Sequence, residues 1–195
     1  MTQLLLFGLA AFVIGYSKTA IGGLAVISVV IFASILPTRS STAAILMVLI
    51  VGDLFAIWSY RRDCDLQLMR GLIPSVLPGL ALGAGFLAIV DDTVLRRSIG
   101  ALLLAMVALQ LVVNARRDRL GQVAHGRAAA WAAGMGAGFA TMTANAAGAV
   151  MTVYLVAKQV DKVRFVGTSA WFFFGINLLK IPFSTSLGLL AWAET

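Results

Sequence analysis

Long apolar runs separated by short polar segments dominate the chain. In order, the runs are Leu4–Leu36, Thr42–Tyr60, Leu66–Val90, a plain run ending near Val113, Ala128–Ala157, Phe165–Pro182 and an apolar piece that starts at Leu187. About 20 apolar residues in a helix span the hydrocarbon core of a bilayer, which is about 30 Å thick. The pattern therefore predicts an all-α polytopic membrane protein.

The first run is too long for one straight span and contains a polar interruption. Leu4–Leu36 would be about 50 Å long as a single helix, and the glycine-rich sequence GYSKTAIGG occupies residues 15–23 within it. Non-helical backbone at membrane depth is tolerated only beside protein or a water-filled cavity. We therefore expect a discontinuous element here, either a strongly tilted broken helix or two shorter pieces folded back.

A second run repeats this arrangement. Ala128–Ala157 is interrupted by GFATMTANAAG at residues 138–148, which lies 123 positions after the first break when Gly138 is aligned with Gly15. At the same offset Gly52 falls on Gly175. Two corresponding interrupted segments are typical of carriers that are built from repeats and bind substrate where the breaks meet.

The repeat predicts the domain organisation. We expect a first membrane repeat at 1–113, a basic connecting loop at 114–127 and an incomplete second repeat at 128–195, which makes the fold a pair of four-span units with a broken first helix in each half. The partners of the third and fourth segments are missing from the second half. On this pattern the chain is truncated, and a complete protein is expected to end at about residue 236.

Composition limits the class of function. Hydrophobic residues make up 61% of the chain and charged residues 12%, and the net charge of +7 comes from cations in the short connections. This distribution indicates membrane topology, and no nucleic-acid partner is predicted. The single cysteine, Cys64, and the single histidine, His125, give no disulfide and no metal-ligand cluster. The prediction is a chain without cofactor or metal that is not an enzyme.

The cations give no orientation when the connections are assigned to alternate sides. Segments 61–65 and 114–127 contain six arginines, and segments 37–41, 91–97 and 158–164 together contain six lysines and arginines. The positive-inside rule needs an excess on one side.

Candidate substrate-binding residues lie in the two breaks. They are Lys18, Thr19, Gly22, Gly23, Thr141, Thr143 and Asn145. Half-helix N-termini in a break expose N–H groups and positive dipole ends, which suit a small anion, and a lysine would reinforce them. Two structural alternatives stay open: Lys18 snorkels to the headgroups from a kinked helix, and the threonines satisfy freed backbone groups.

Three further polar residues lie within apolar runs. Asp53 is expected either to form a static ion pair with Lys18 or to carry a coupled proton. Asn177 and Lys180 are three residues apart and so share one helix face. Asn177 is predicted to line a pathway, whereas Lys180 is near Pro182 and has snorkelling as its alternative.

These residues carry a resemblance to a known family. Gly15-Tyr-Ser-Lys-Thr with Gly22-Gly23, the sequence IVGDLFAIWSYRR at 50–62, Asn145-Ala-Ala-Gly, Val166-Gly-Thr and Asn177-Leu-Leu-Lys-Ile-Pro resemble the TauE/SafE sulfite exporter family, also called toluene-sulfonate uptake permeases. The resemblance covers essentially the whole chain. It implies a secondary carrier of sulfite, sulfonates or other small organic anions in the bacterial inner membrane. It also places Lys18, Asp53, Asn145, Asn177 and Lys180 at motif positions.

The sequence thus predicts a secondary transporter of small anions, with the site between the two broken segments. Its predicted partners are the small anionic substrate, the lipid bilayer and a coupling proton, and assembly of several copies is left open. Two alternatives remain: a passive anion channel, and a membrane-embedded assembly factor or enzyme.

Overall fold

Six α-helices make up the described part of the chain. The computed structural model describes residues 38–115 and 126–188. We label the helices α1 (Thr38–Tyr60), α2 (Leu66–Ile89), α3 (Asp92–Ala115), α4 (Arg127–Ala144), α5 (Ala147–Ala157) and α6 (Lys162–Ser186). Within these residues no β-strand occurs. The predicted all-α class is confirmed at this level.

Several helices have the length and surface of membrane spans. In the described ranges, three helices are long and apolar enough to cross a bilayer, namely Leu66–Ile89, Asp92–Val113 and Lys162–Ser186. Large apolar side chains also face outward, among them Trp58 and Leu104, each 74% exposed. A helix that is hydrophobic on its outer face as well as its inner face suits a lipid environment. By length and composition, the helices therefore suit a bundle that lies in a bilayer.

Aspartates mark the first residues of three helices. The side chain of Asp65 accepts hydrogen bonds from the backbone N–H groups of Gln67 and Leu68 at 3.0 and 3.1 Å, which caps the N-terminus of α2. Asp161 caps α6 in the same way, and Asp91 accepts a backbone hydrogen bond of 2.7 Å in the first turn of α3. Such caps satisfy N–H groups that have no partner inside the helix. They fix where three of the spans begin.

Glycines let α2 and α4 pack side by side. A Cβ at Gly79 would lie 2.3 Å from the carbonyl oxygen of Met135, and a Cβ at Gly138 would lie 2.4 Å from that of Val76. A Cβ at Gly83 would lie 2.6 Å from a side-chain atom of α4. Small residues at such spacing are typical of close helix packing in membranes. Gly79 and Gly83, four residues apart in α2, therefore allow the close packing of α2 on α4.

The fifth apolar run folds back on itself. A helix through Ala128–Ala157 would be about 45 Å long, yet Arg127 and Lys158 line the same cavity. A Cβ at Gly136 of α4 would lie 3.7 Å from Cγ1 of Val150 in α5. Helices α4 and α5 therefore form an antiparallel hairpin. Of the two arrangements considered for such a run, the folded-back one describes this segment.

Helices α1 and α6 run antiparallel. The backbone N–H of Asp65, just after α1, donates to Oγ1 of Thr168 near the start of α6 at 2.9 Å. One residue earlier in α6, Gly167 packs so closely on Asp63 that a Cβ would lie 2.6 Å from its carbonyl oxygen. The end of α1 and the beginning of α6 thus lie at the same side of the bundle.

We call this side the basic edge. It is defined by the helix ends at Tyr60, Leu66, Ala115, Arg127, Ala157 and Lys162. The end of α3 belongs to it because Val113 packs against Ala157. Assignment of the connections to alternate sides puts segment 158–164 opposite segment 61–65. This grouping is wrong because the α4–α5 hairpin returns the chain to the edge from which it entered.

The apolar core lies where α2, α4, α5 and α6 meet. Its fully buried members include Leu72, Leu80, Leu87, Met142, Leu155 and Phe172. Beside this core, the inward face of α6 becomes polar in its second half. That change of chemistry positions the candidate site.

Candidate functional site

The second half of α6 carries three buried polar side chains on one face. Asn177 and Ser184 are each 2% exposed, and Lys180 is fully buried. Their spacing of three and four residues places them in a row along the inward face. Asn177 and Lys180 were predicted from the sequence and Ser184 was not, although its position seven residues after Asn177 on the same face is a signal that could have found it.

Lys180 reaches the tip of the α4–α5 hairpin. Its Nζ donates to the carbonyl oxygen of Thr141 at 2.7 Å and also donates to Oδ1 of Asn145. The ammonium therefore points into the protein, and the alternative in which Lys180 snorkels to the headgroups is wrong. The two partners lie 39 and 35 residues earlier in the chain, so the side chain joins α6 to the break.

The break itself consists of two residues. Helix α4 continues through Gly138 to Ala144, and α5 begins at Ala147. The predicted interruption at 138–148 is therefore too long at its N-terminal end, because Gly138 remains helical and packs against α2. Asn145 ends α4 in the left-handed region, with φ 52° and ψ 29°. Asparagine is one of the few residues other than glycine that enter this region readily.

The two helix ends at the break have opposite polarity. The last carbonyls of α4 are at the negative end of its dipole, and Lys180 binds one of them, which is the favourable position for a cation. Helix α5 starts at Ala147, and its N-cap residue Ala146 provides no side-chain hydrogen bond. The positive end of α5 therefore lies one residue from Asn145. A half-helix N-terminus in the break, as the sequence predicts, is present.

Asp53 and Asn177 form the second polar contact of α6. Nδ2 of Asn177 donates to Oδ2 of Asp53 at 2.7 Å. Asp53 is fully buried in α1. Asn177 and Lys180 lie one turn apart on α6. Asn177 binds α1, and Lys180 binds the tip of the α4–α5 hairpin.

The two threonines in the last turn of α4 have different surroundings. Both are 2% exposed. Thr143 Oγ1 donates to the carbonyl oxygen of Phe139 at 2.9 Å, which uses the single O–H of its hydroxyl. Thr141 contributes its carbonyl oxygen to Lys180. In this arrangement Thr143 stabilises its own helix, as the structural alternative expected.

The residues of the first break lie outside the described part of the chain. Lys18, Thr19, Gly22 and Gly23 belong to this group. The structure brings together the remaining candidates, which are Asp53, Thr141, Thr143, Asn145, Asn177 and Lys180. Among residues 38–115 and 126–188, no three His, Cys, Asp or Glu side chains are grouped as metal ligands would be.

Comparison with known protein families matches residues 7–195 to the family described as sulfite exporter TauE/SafE. The chain belongs to this family. Membership of the TauE/SafE family implies a membrane transporter of sulfur-containing anions, in keeping with the apolar helices and with a function other than enzymatic catalysis. Searches of curated proteins and of solved structures give no match.

Proposed function

We propose that this TauE/SafE protein is a secondary transporter of sulfite, a sulfonate or a related small organic anion in the bacterial inner membrane. The observation that supports the proposal is the fully buried ammonium of Lys180 at the break between α4 and α5. An ionisable residue within a membrane span is costly and usually functional. Here it lies beside the positive end of a half-helix, where an anion is favoured.

The substrate site is formed by Lys180, Asn145 and the first N–H groups of α5. Lys180 donates to oxygens of two uncharged groups, the backbone carbonyl of Thr141 and the side-chain amide of Asn145. An oxyanion entering the break would exchange with or join these oxygens as an acceptor for the ammonium. The amide N–H groups of Asn145 and the backbone N–H groups of α5 would then donate to it. Lys18, Thr19, Gly22 and Gly23 of the first break are proposed to complete the site.

Asp53 is the proposed carrier of a coupling proton. Its carboxylate contacts Asn177, which lies one helical turn from Lys180. Binding of an anion at Lys180 and binding of a proton at Asp53 would therefore both change contacts of α6. Such a connection allows the two events to be linked by movement of α6 relative to α1 and the hairpin.

The proposed duplication is supported by the geometry of α1 and α6. These helices correspond at the offset of 123 that aligns Gly52 with Gly175, and they run antiparallel. Repeats of inverted topology place their corresponding helices in this way and bind substrate at the interface between them. We propose on this basis the units 1–113 and 128–195, joined by segment 114–127.

Transport by the full chain in proteoliposomes tests the proposal. We expect saturable uptake of labelled sulfite or sulfonate that responds to a pH gradient. Lys180→Met, which keeps most of the length of the side chain and removes its charge, should reduce uptake at least tenfold. Arg164→Gln is the matched control, since its side chain is 66% exposed in a surface pair with Asp161, and it should transport normally.

Three results would count against parts of this function. Equal uptake by Lys180→Met and the native chain would show that the substrate does not bind at the break. Flux that does not saturate would indicate a passive channel. Saturable uptake without a response to pH would exclude proton coupling.

A further inference from the structure

We infer that the basic edge contains a binding site for an anionic phospholipid, with the headgroup phosphate between α2, α4 and α5. A cavity of about 230 Å³ opens there. Its polar walls include Asp65, Gln67, Arg127 and Lys158. This site is separate from the polar cluster at the hairpin tip, since Arg127 and Lys158 are at the other end of α4 and α5.

The charge of the cavity favours a phosphate. Within the described residues, neither Arg127 nor Lys158 forms an ion pair. The one carboxylate in the walls, Asp65, accepts two backbone hydrogen bonds that cap α2. Two cations and one carboxylate thus face one space, which carries a net positive charge. An anion with several oxygens can bind both of them.

The N-terminus of α4 adds to this preference. Its N-cap residue, Gly126, lines the cavity and provides no side-chain hydrogen bond to the first turn. The positive end of an 18-residue helix therefore contributes to the same space as the two cations. Lys158 is held near the cavity because its Nζ lies 5.4 Å from the centre of the Tyr154 ring.

An adjacent apolar cavity indicates that the ligand is a lipid and not a free anion. This cavity has a volume of about 370 Å³ and lies between α3, α4 and α5, with Met106, Leu109, Ala132, Gly136 and Val153 in its walls. The two cavities share Tyr154, and Ala157 of the apolar one is followed in the chain by Lys158 of the polar one. A charged space next to an apolar one, at the end of a membrane bundle, matches a headgroup and an acyl chain.

The test is a thermal unfolding measurement on the delipidated full chain in mild detergent. We expect phosphatidylglycerol to raise the melting temperature by about 5 °C when it is present at many times its dissociation constant. Phosphatidylcholine and inorganic phosphate, added at the same concentrations, should give little or no shift. The double variant Arg127→Gln/Lys158→Gln should lose the shift.

The controls separate this site from general attraction to charge. Arg96→Gln/Arg97→Gln removes two exposed cations near the start of α3, at the opposite edge, and should keep the full shift. The exchange Arg127→Lys/Lys158→Arg keeps both charges and should keep most of it, which shows that loss in the glutamine variant is not misfolding. Ala132→Phe fills the apolar cavity from an exposed position and should reduce the shift.

Three outcomes would overturn the inference. The first is an equal phosphatidylglycerol shift in the native chain and in the glutamine variant. The second is an equal shift with inorganic phosphate alone, which would make the site one for a free anion. The third is an equal shift in Ala132→Phe, which would remove the acyl chain from the apolar cavity.

Discussion

Asp53 and Asn177 lie 124 positions apart in the chain and meet through a buried hydrogen bond of 2.7 Å between Nδ2 and Oδ2. This contact joins α1 to α6 at a depth where water is scarce, so a hydrogen bond lost here is not readily replaced by one to water. Its energetic weight therefore differs from that of a surface contact. Removing one member leaves the other buried, which typically costs about 1–3 kcal/mol and more for a charged group.

A double-mutant cycle on this pair tests its structural role. We expect Asp53→Leu and Asn177→Leu each to lower the free energy of unfolding, because each removes a hydrogen bond from a buried polar group. The double variant should be less destabilised than the sum of the two. Unfolding of the purified protein in detergent gives the values, and strictly additive effects would show that the pair is not coupled.

Asp53→Asn separates stability from proton coupling. The substitution keeps the size of the side chain and an oxygen that accepts from Asn177, so the melting temperature should change little. If Asp53 carries the coupling proton, uptake should lose its dependence on the pH gradient while substrate binding remains. Asp92→Asn, an exposed carboxylate in the first turn of α3, is the control and should leave both properties unchanged. A normal pH response in Asp53→Asn would assign coupling to another group.

Asn145 combines a backbone role with a side-chain role, and two substitutions separate them. Asn145→Gly accepts the positive φ but lacks the amide that Lys180 contacts, so we expect the protein to fold and transport to fail. Asn145→Ala lacks the amide and also carries a Cβ in the left-handed region, which costs roughly 1–2 kcal/mol. It should therefore be the less stable of the two in thermal unfolding.

Gln159 supplies the control for the backbone effect. It too has a positive φ, of 56°, but lies in the exposed turn after α5. Gln159→Gly should raise stability slightly and leave transport intact. Equal stability of Asn145→Gly and Asn145→Ala would mean that the backbone at the break is free to change conformation.

Substitution of two glycines of α2, Gly79 and Gly85, by alanine should change the melting temperature in opposite directions. Gly79→Ala places a Cβ against the backbone of Met135, where a distance of 2.3 Å forces the helices apart. Gly85 is in the same helix and has no atom within 4 Å of the added Cβ. We expect Gly79→Ala to lower the melting temperature markedly and Gly85→Ala to raise it, since alanine is favoured over glycine in a helix by about 0.5–1 kcal/mol. Similar effects of both changes would argue against the close packing of α2 on α4.

The sequence alone predicts the helical class and the residues of the site better than their arrangement. The length of the apolar runs identifies the spans, because the thickness of the bilayer fixes how many apolar residues a spanning helix needs. Whether the run containing Asn145 crosses the membrane or folds back depends on contacts such as Gly136 with Val150, which local composition does not encode. The burial of Lys180 likewise depends on acceptors 35 and 39 residues earlier. Gly138 looked like part of the break because a glycine in a helix can signal either interruption or packing.

The hairpin also allows an orientation in the membrane to be predicted. Because segment 158–164 lies at the basic edge, its three cations join the six arginines of segments 61–65 and 114–127, whereas segments 37–41 and 91–97 contain three. Nine cations against three is an excess of the kind that faces the cytoplasm. We therefore expect the basic edge to be cytoplasmic.

Labelling of Cys64, the only cysteine in the sequence, tests which side of the membrane the basic edge faces. Cys64 lies between α1 and α2, and burial, together with the charge of Asp65, raises the pKa of its thiol. The thiolate is the reactive form, so labelling should be slow at neutral pH and accelerate as the pH rises through the raised pKa.

At a pH of about 9, a membrane-impermeant maleimide should label Cys64 in inverted vesicles and not in right-side-out ones. Thr93→Cys in a Cys64→Ser background places the thiol at the exposed start of α3 and should give the reverse pattern. Labelling of Cys64 from the outside would place the basic edge away from the cytoplasm, and equal labelling from both sides would show that the thiol is reached through the bundle.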